Sequence, residues 1–195
     1  NQVIDEDTSL TIELSASDVD GDELAFSANS ICYATEINGT SLTITPLPHD
    51  NGYCPVDVTV SDGDLSNDAT FTLTVNAVND APTLDDLADG SVSEDTDFVL
   101  ELSGADVDGD QLTFLASVDA NGSVAVDGST LTVTPADNYN GDITVSVIAS
   151  DGQASGSGSF TLSVTPVNDA PVMATLDNQV IDEDTSLTIE LSASD

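Results

Sequence analysis

The stretch "DEDTSLTIELSASDVDGD", Asp5 to Asp22, contains a strand pattern that is followed at once by a cluster of acids. Leu10, Ile12 and Leu14 alternate with polar residues, and this period of two predicts a β-strand with one buried face. The stretch recurs as "SEDTDFVLELSGADVDGD", Ser93 to Asp110, 88 residues further along the chain. The repeated pair of features indicates that the chain is built from copies of one β-rich domain.

Three further motifs recur at nearly the same spacing. They are the pairs "SLTITP" and "TLTVTP", "VSDG" and "ASDG", and "AVNDAP" and "PVNDAP". A third copy then begins, because residues 178–195 are identical to residues 1–18. We therefore predict a first repeat at residues 1–82, a second at 83–171, and the incomplete start of a third at 172–195.

Each repeat is predicted to be all-β. The alternation of apolar and polar residues continues through both repeats, and no stretch has the helical period of 3.6. Asn-Gly turn signals lie between the apolar segments, at residues 38–39, 51–52, 121–122 and 140–141. Six or seven short strands in fewer than 90 residues favour an antiparallel β-sandwich.

The charge balance restricts the classes of partner. The chain has 195 residues, 37 acids, no Lys or Arg and a formal net charge of −37. Nucleic acid and anionic membranes are excluded as ordinary partners because both bind through basic residues, and no apolar run is long enough to insert into a bilayer. The regular apolar spacing opposes disorder. Solubility in a saline medium and neutralisation by divalent cations both remain open, and Ca²⁺ is a cation that takes carboxylate ligands.

Cys32 and Cys54 are the two cysteines, 22 positions apart. This spacing suits one disulfide, worth roughly 3 kcal/mol for a loop of that size, and such a bond implies an oxidising compartment. Zinc is not favoured, because there is no C-x-x-C motif and His49 is the only histidine. The residues after Asn1 do not resemble a signal peptide, so we expect an interior or mature segment of a longer protein.

The acid cluster is expected to form a loop at one end of the sandwich. Asp18, Asp20 and Asp22 follow the first long strand, and like charges a few Å apart would repel one another without a cation. The cluster is not a complete EF-hand loop, because Glu23 and Asn29 stand where that loop needs Gly and Glu. Further ligands would therefore have to come from elsewhere in the fold.

The order Glu-Asp-Thr, Asp-x-Asp-Gly, Ser-Asp-Gly and Asn-Asp-Ala-Pro recurs in both repeats and resembles the cadherin-like tandem repeats of very large bacterial surface proteins and adhesins. The resemblance covers essentially the whole chain. It implies tandem cadherin-like or Ig-like sandwiches with Greek-key topology, arranged end to end. It also implies Ca²⁺ at the junction between consecutive domains, with one or two ions at each junction.

Carried over by position, the resemblance implies three sets of calcium ligands. The complete junction would use Glu6, Asn79, Asp80, Asp106, Asp108 and Asp151. A second junction would use Glu94, Asn168, Asp169 and Asp195, while Asp18, Asp20 and Asp62 would serve a junction with a preceding domain. Asp22 and Asp110 are expected to be outer-shell groups or turn residues.

Two functions are compatible with these features. The first is a non-catalytic extender in a secreted cell-surface protein, stiffened by Ca²⁺ between neighbouring repeats of the same polypeptide and supporting adhesion or biofilm formation. The alternative is a binding module that self-associates into filaments or binds polysaccharide. An enzyme is not expected, because the carboxylate pairs all fall in repeated motifs and His49 has no catalytic partner.

Overall fold

The computed structural model describes residues 1–194, and this range is built of β-strands without a helix. It accordingly contains no helix that could cross a membrane. The chain forms two compact units. The first comprises residues 1–83, 104–113 and 149–156, and the second comprises residues 84–103, 114–148 and the described residues from Ser157 onward. The all-β prediction is confirmed, while the repeat boundaries at residues 82 and 171 stay a prediction.

Seven strands form the sandwich of the first unit. They are β1 (Gln2–Asp5), β2 (Leu10–Glu13), β3 (Ala25–Ser30), β4 (Ala34–Asn38), β5 (Ser41–Thr45), β6 (Gly52–Ser61) and β7 (Ser66–Asn76). One sheet has the order β1-β7-β6-β3 and the other β2-β5-β4. The chain crosses repeatedly from one sheet to the other, as in sandwiches with Greek-key connections.

The core of the first unit lies between these two sheets. Leu42 and Ile44 from one sheet are fully buried, as are Cys54, Val56 and Leu73 from the other. They occupy every second position of their strands, because successive side chains of a strand point to opposite faces. Burying an aliphatic side chain of this size contributes about 1.5–3 kcal/mol, so the apolar alternation seen in the sequence drives this packing.

One strand pairing in the first unit differs from the antiparallel expectation. Strand β1 pairs in parallel with β7, from Gln2 opposite Leu73 to Asp5 opposite Asn76. The two strands therefore end at the same edge, where the N–H of Glu6 donates to the carbonyl of Asn76 at 3.0 Å. This pairing places Glu6 beside the segment that follows β7.

The eleven remaining strands of the described residues form a second sandwich with this plan and two separate two-stranded sheets. They are β8 (Thr83–Leu84), β9 (Gly90–Ser93), β10 (Phe98–Glu101), β11 (Gly104–Ala105), β12 (Thr113–Val118), β13 (Gly122–Asp127), β14 (Thr130–Pro135), β15 (Gly141–Ser150), β16 (Ser155–Thr165), β17 (Val172–Met173) and β18 (Ala193–Ser194). The larger sheets have the orders β12-β15-β16-β9 and β10-β14-β13. Strand β9 again pairs in parallel with its neighbour β16.

The core of the second unit has the same pattern with different side chains. Leu131, Val133, Ile143 and Leu162 are fully buried. Ile143 stands 89 residues after Cys54. The core position that holds a cysteine in the first repeat therefore holds an isoleucine in the second.

Cys32 and Cys54 form a disulfide in the structure, with their Cα atoms 6.2 Å apart. Cys54 is fully buried on β6, and Cys32 lies in the exposed turn before β4. The bond therefore ties the connection between β3 and β4 to the core of the first unit.

Replacing both cysteines should destabilise the first repeat and leave the second unchanged. In Cys32→Ser/Cys54→Ala, the loss of the cross-link is expected to cost roughly 3 kcal/mol. Amide hydrogen exchange at Leu42 and Ile44 should then accelerate by about 100-fold. Exchange at Leu131 and Val133, the matched positions of the second repeat, is the internal control. Equal protection of Leu42 in the parent and the variant would contradict a stabilising role for the bond.

Candidate metal centre

The acidic loop of the second repeat is held by one oxygen of its first carboxylate. Asp106 Oδ1 accepts the N–H groups of Asp108 at 2.9 Å and Asp110 at 3.2 Å, and Gly109 adopts a φ of +79° that favours glycine. Asp106 Oδ2 takes no part in this turn. It is buried and has no hydrogen-bond partner.

The segment after β7, "AVNDAP" at residues 77–82, contacts this loop through its backbone. The N–H of Asp80 donates to Asp108 Oδ2 at 2.8 Å. Asn79 Nδ2 donates to Asp151 Oδ2 at 2.9 Å, and Asn79 Oδ1 accepts from Gln153 Nε2 at 2.7 Å. Asn79 and Asp80 are thus fixed between the Asp-x-Asp-Gly and Ser-Asp-Gly motifs.

Asp151 is shaped by hydrogen bonds in the same way as Asp106. Its Oδ1 accepts the N–H groups of Gln153 and Ala154, both at 2.6 Å. These bonds favour the charged form of a carboxylate. The N–H of Ala154, followed by the Asn79 side chain and the N–H of Gln153, lowers the pKa of Asp151 below its ordinary value. The group is therefore ionised at neutral pH.

Glu6 is buried at the end of β1, with 4% of its surface exposed. Its Oε1 accepts the N–H of Val78, which follows from the parallel pairing of β1 with β7. Its Oε2 is buried without a partner. Within the described residues, Glu6 Oε2 and Asp106 Oδ2 are the two buried side-chain oxygens that no donor contacts, and both belong to the predicted complete junction.

This donor set fits a hard divalent cation. All six predicted ligands lie in the first unit, and all of them offer oxygen, the donor that Ca²⁺ takes. Asp106, Asp108 and Asp110 each present a carboxylate oxygen within 4.8 Å of the other two. A carboxylate oxygen that is buried without a donor is costly unless a positive charge satisfies it.

Two further residues lie near the predicted ligands, and only Gln153 was not predicted. Asp110, expected to be a turn or outer-shell residue, donates its N–H to Asp106 Oδ1 at 3.2 Å and has a carboxylate oxygen within 4.8 Å of those of Asp106 and Asp108. Gln153 orients Asn79 through its side-chain amide. The third acid of the Asp-x-Asp-Gly-Asp motif was a visible signal for Asp110. Gln153 had none, since its role depends on a contact 74 residues away in sequence.

The calcium ligands predicted for the second junction are brought together only in part. Glu94 is buried, with 5% exposed, and its Oε1 accepts the N–H of Val167. Asn168 Nδ2 donates to the carbonyl of Asp169 at 2.9 Å, as Asn79 does to Asp80 at 2.7 Å. Asp195, the remaining member, lies outside the described residues. These contacts reproduce one side of the complete junction.

Two of the three calcium ligands predicted for a preceding junction line one pocket of the first unit. Asp18 and Asp62 both line it, whereas Asp20 is exposed. Asp18 Oδ1 accepts the N–H groups of Asp20 at 2.8 Å and Gly21 at 2.9 Å. The N–H of Leu65, followed by that of Asp64, lowers the pKa of Asp62. The loop of Asp18 therefore has the geometry of the loop of Asp106.

His49 lies at the same end of the first unit as the junction residues. Its Nδ1 is 2.7 Å from Asp80 Oδ2 and 3.5 Å from Asp7 Oδ2. The hydrogen bond with Asp80 raises the pKa of the imidazole above its ordinary value. No role for His49 was predicted, because nothing in the sequence indicates that its loop reaches residue 80.

The fold and the motifs agree with those of known proteins. The cadherin-like domain family matches residues 1–76 and 78–165. Among curated proteins, none matches the chain. Human protocadherin-24 EC1-2 superposes with a TM-score of 0.55 at 15% identity, covering 85% of this chain and 95% of that one. Drosophila N-cadherin EC1-4 gives a TM-score of 0.53 at 18% identity, with 86% and 47% covered.

An endo-fucoidan hydrolase of glycoside hydrolase family 107 is also similar, at 23% identity and over 86% of this chain. Its TM-score of 0.36 is too low to carry an argument, and the chain spans 28% of that protein. The cadherin structures, by contrast, share the sandwich fold, and the family match includes both repeats. The resemblance drawn from the motifs is confirmed: the chain belongs to the cadherin-like domain family.

Proposed function

We propose that the chain is a non-catalytic extender segment of an extracellular adhesion protein, stiffened by Ca²⁺ where neighbouring repeats join. The observation that carries the proposal is the pair of buried, unpartnered carboxylate oxygens, Glu6 Oε2 and Asp106 Oδ2. They come from the beginnings of the two predicted repeats, at residues 1–82 and 83–171. A cation that joins them would couple one repeat to the next.

The net charge of the chain supports the binding of a cation from the medium. With no Lys or Arg among 195 residues, His49 is the one basic side chain that could offset the carboxylates. Leaving a buried carboxylate oxygen unsatisfied costs about 1–3 kcal/mol. When bound, Ca²⁺ would supply the positive charge that the sequence lacks, with Glu6, Asn79, Asp80, Asp106, Asp108 and Asp151 as its ligands.

The residues around the site would hold these ligands in place. Each of Asp106 and Asp151 uses Oδ1 to fix its own loop, which leaves Oδ2 directed away from the turn. Asn79 and the N–H of Asp80 hold the segment at residues 77–82 against the loops of Asp106 and Asp151. Ligands ordered in this way lose little conformational freedom on binding, which favours affinity.

Membership of the cadherin-like family supports an extracellular location for the chain. Cadherin-like domains are extracellular, typically bind calcium and belong to a non-enzymatic adhesion family, and the disulfide of the first repeat suits an oxidising compartment. We extend the proposal to the second set, with Glu94, Asn168, Asp169 and Asp195 at a junction to a third repeat. Asp18, Asp20 and Asp62 would serve the equivalent junction with a preceding repeat on a bacterial cell surface.

Calcium should stabilise the parent, and Asp106→Asn should weaken this effect. Ca²⁺ at 100 times its Kd would add about 2.7 kcal/mol to the free energy of unfolding. The Asn side chain keeps an oxygen for the N–H groups of Asp108 and Asp110 but loses the charge. We expect at least about a tenfold loss of calcium affinity, or about 1.4 kcal/mol, in thermal melts at increasing calcium concentration.

The matched control is Asp119→Asn. Asp119 Oδ1 also accepts two backbone N–H groups, those of Ala120 at 2.8 Å and Thr144 at 3.2 Å, and it is not among the predicted ligands. The substitution removes the same charge from a carboxylate that is likewise held by two backbone N–H groups. Equal calcium-induced shifts in the two variants would refute Asp106 as a ligand.

Stiffening by calcium is tested by small-angle X-ray scattering. The parent should give a narrow distribution of dimensions with calcium and a broader one with chelator, because the junction carboxylates repel one another without a cation. Asp106→Asn in calcium should resemble the chelated parent. Identical scattering with and without calcium would contradict the extender function even if calcium binds.

A further inference from the structure

We propose that Asp7, His49 and Asp80 form a second kind of metal site in the first repeat, selective for a borderline transition-metal ion such as Zn²⁺. His49 Nδ1 lies 2.7 Å from Asp80 Oδ2 and 3.5 Å from Asp7 Oδ2. One donor atom from each of the three residues lies within 4.8 Å of the other two. The inference does not depend on the proposed calcium function, because its test also runs without calcium.

The imidazole nitrogen of His49 distinguishes this site from the predicted calcium site, with which it shares Asp80. Ca²⁺ takes oxygen ligands, whereas imidazole suits Zn²⁺, Cu²⁺ and Ni²⁺. One imidazole nitrogen and two carboxylate oxygens supply three protein ligands, and zinc sites of that kind complete a tetrahedron with water. His49 is the only nitrogen donor of this type in the sequence.

The spacing of the donors is close to what zinc requires. Zinc–nitrogen and zinc–oxygen distances near 2.0–2.2 Å in a tetrahedron place two ligand atoms roughly 3.3 Å apart. The separation of His49 Nδ1 and Asp7 Oδ2, 3.5 Å, already has this value. The separation from Asp80 Oδ2, 2.7 Å, is that of a hydrogen bond and needs to open by about half an ångström.

Backbone hydrogen bonds orient two of the three proposed zinc ligands, Asp7 and Asp80. The N–H of His49 donates to Asp7 Oδ1 at 3.0 Å, which leaves Asp7 Oδ2 facing the imidazole. Asp80 is fixed by the bond from its N–H to Asp108 Oδ2. The side chains remain accessible to an ion from solvent, with 43% of His49, 44% of Asp7 and 27% of Asp80 exposed.

The second repeat shows that the loop does not need a histidine. Asn138 takes the place of His49 with a φ of 54° against 55°, and Asp95 takes the place of Asp7 with 58° against 59°. The N–H of Asn138 donates to Asp95 Oδ1 at 2.9 Å, which is the same bond. The loop is therefore built by the backbone N–H with asparagine as well as with histidine, and the imidazole adds a metal-binding nitrogen that the fold does not require.

The test uses ring-proton NMR of the intact 195-residue chain, where a single histidine gives one unambiguous set of signals. ZnCl₂ is added stepwise in calcium-free buffer and again in calcium-containing buffer. We expect the His49 ring signals to shift and saturate at one equivalent of Zn²⁺ in at least one buffer, and chelator to reverse the shift. Unchanged ring signals in both buffers would overturn the proposal.

His49→Asn is the matched variant, because it copies the residue that the second repeat uses at the same φ. Zinc affinity measured by calorimetry should fall at least about tenfold in this variant, since even the loss of an outer-shell partner costs a metal site that much. Asp7→Asn should weaken zinc binding in the same direction while the ring remains observable. Equal zinc affinity in the parent and His49→Asn would show adventitious binding to the acidic surface only and would refute the site.

Discussion

The structure depends on how its carboxylates are satisfied in a chain without a Lys or Arg. The main donors available to them are backbone N–H groups. In each acidic loop one carboxylate oxygen accepts two or three of these groups, as Asp18, Asp62, Asp106 and Asp151 do. Such bonds stabilise the charged form. They also determine the conformation of the loop, so the acids that carry the charge are the same residues that shape the ends of the sandwich.

Two acids of the predicted junction, Glu6 and Asp106, use only one carboxylate oxygen in this way. Glu6 shows the division most clearly, because Oε1 holds the N–H of Val78 while Oε2 is buried without a donor. Asp106 divides its oxygens in the same way. An asparagine side chain also carries an oxygen that could accept these N–H groups, but it has no negative charge. In Glu6 and Asp106 the second carboxylate oxygen takes no part in the backbone contact, and it is therefore available to a cation.

Much of the fold could be predicted from the sequence because it depends on local periodicity. The alternation at Leu10, Ile12 and Leu14 gives a strand, and the recurrence of the motifs gives the family. The parallel pairing of β1 with β7 could not be predicted, since it joins residues about 70 positions apart. His49 and Gln153 were missed for the same reason. The predicted calcium ligands came from the family resemblance, and the loops at Asp106 and Asp151 do converge on Asn79 and Asp80.

Asn79, in the segment at residues 77–82, illustrates why a neutral residue is useful in so acidic a site. Asn79 lies beside Asp151, and its Nδ2 donates to that carboxylate and to the carbonyl of Asp80. Its Oδ1 at the same time accepts from Gln153. An aspartate at this position could accept from Gln153 but could not donate to Asp151, and the two carboxylates would repel each other. The amide thus joins this segment to an acidic loop without adding charge, while its neighbour Asp80 keeps a carboxylate for His49 or a cation.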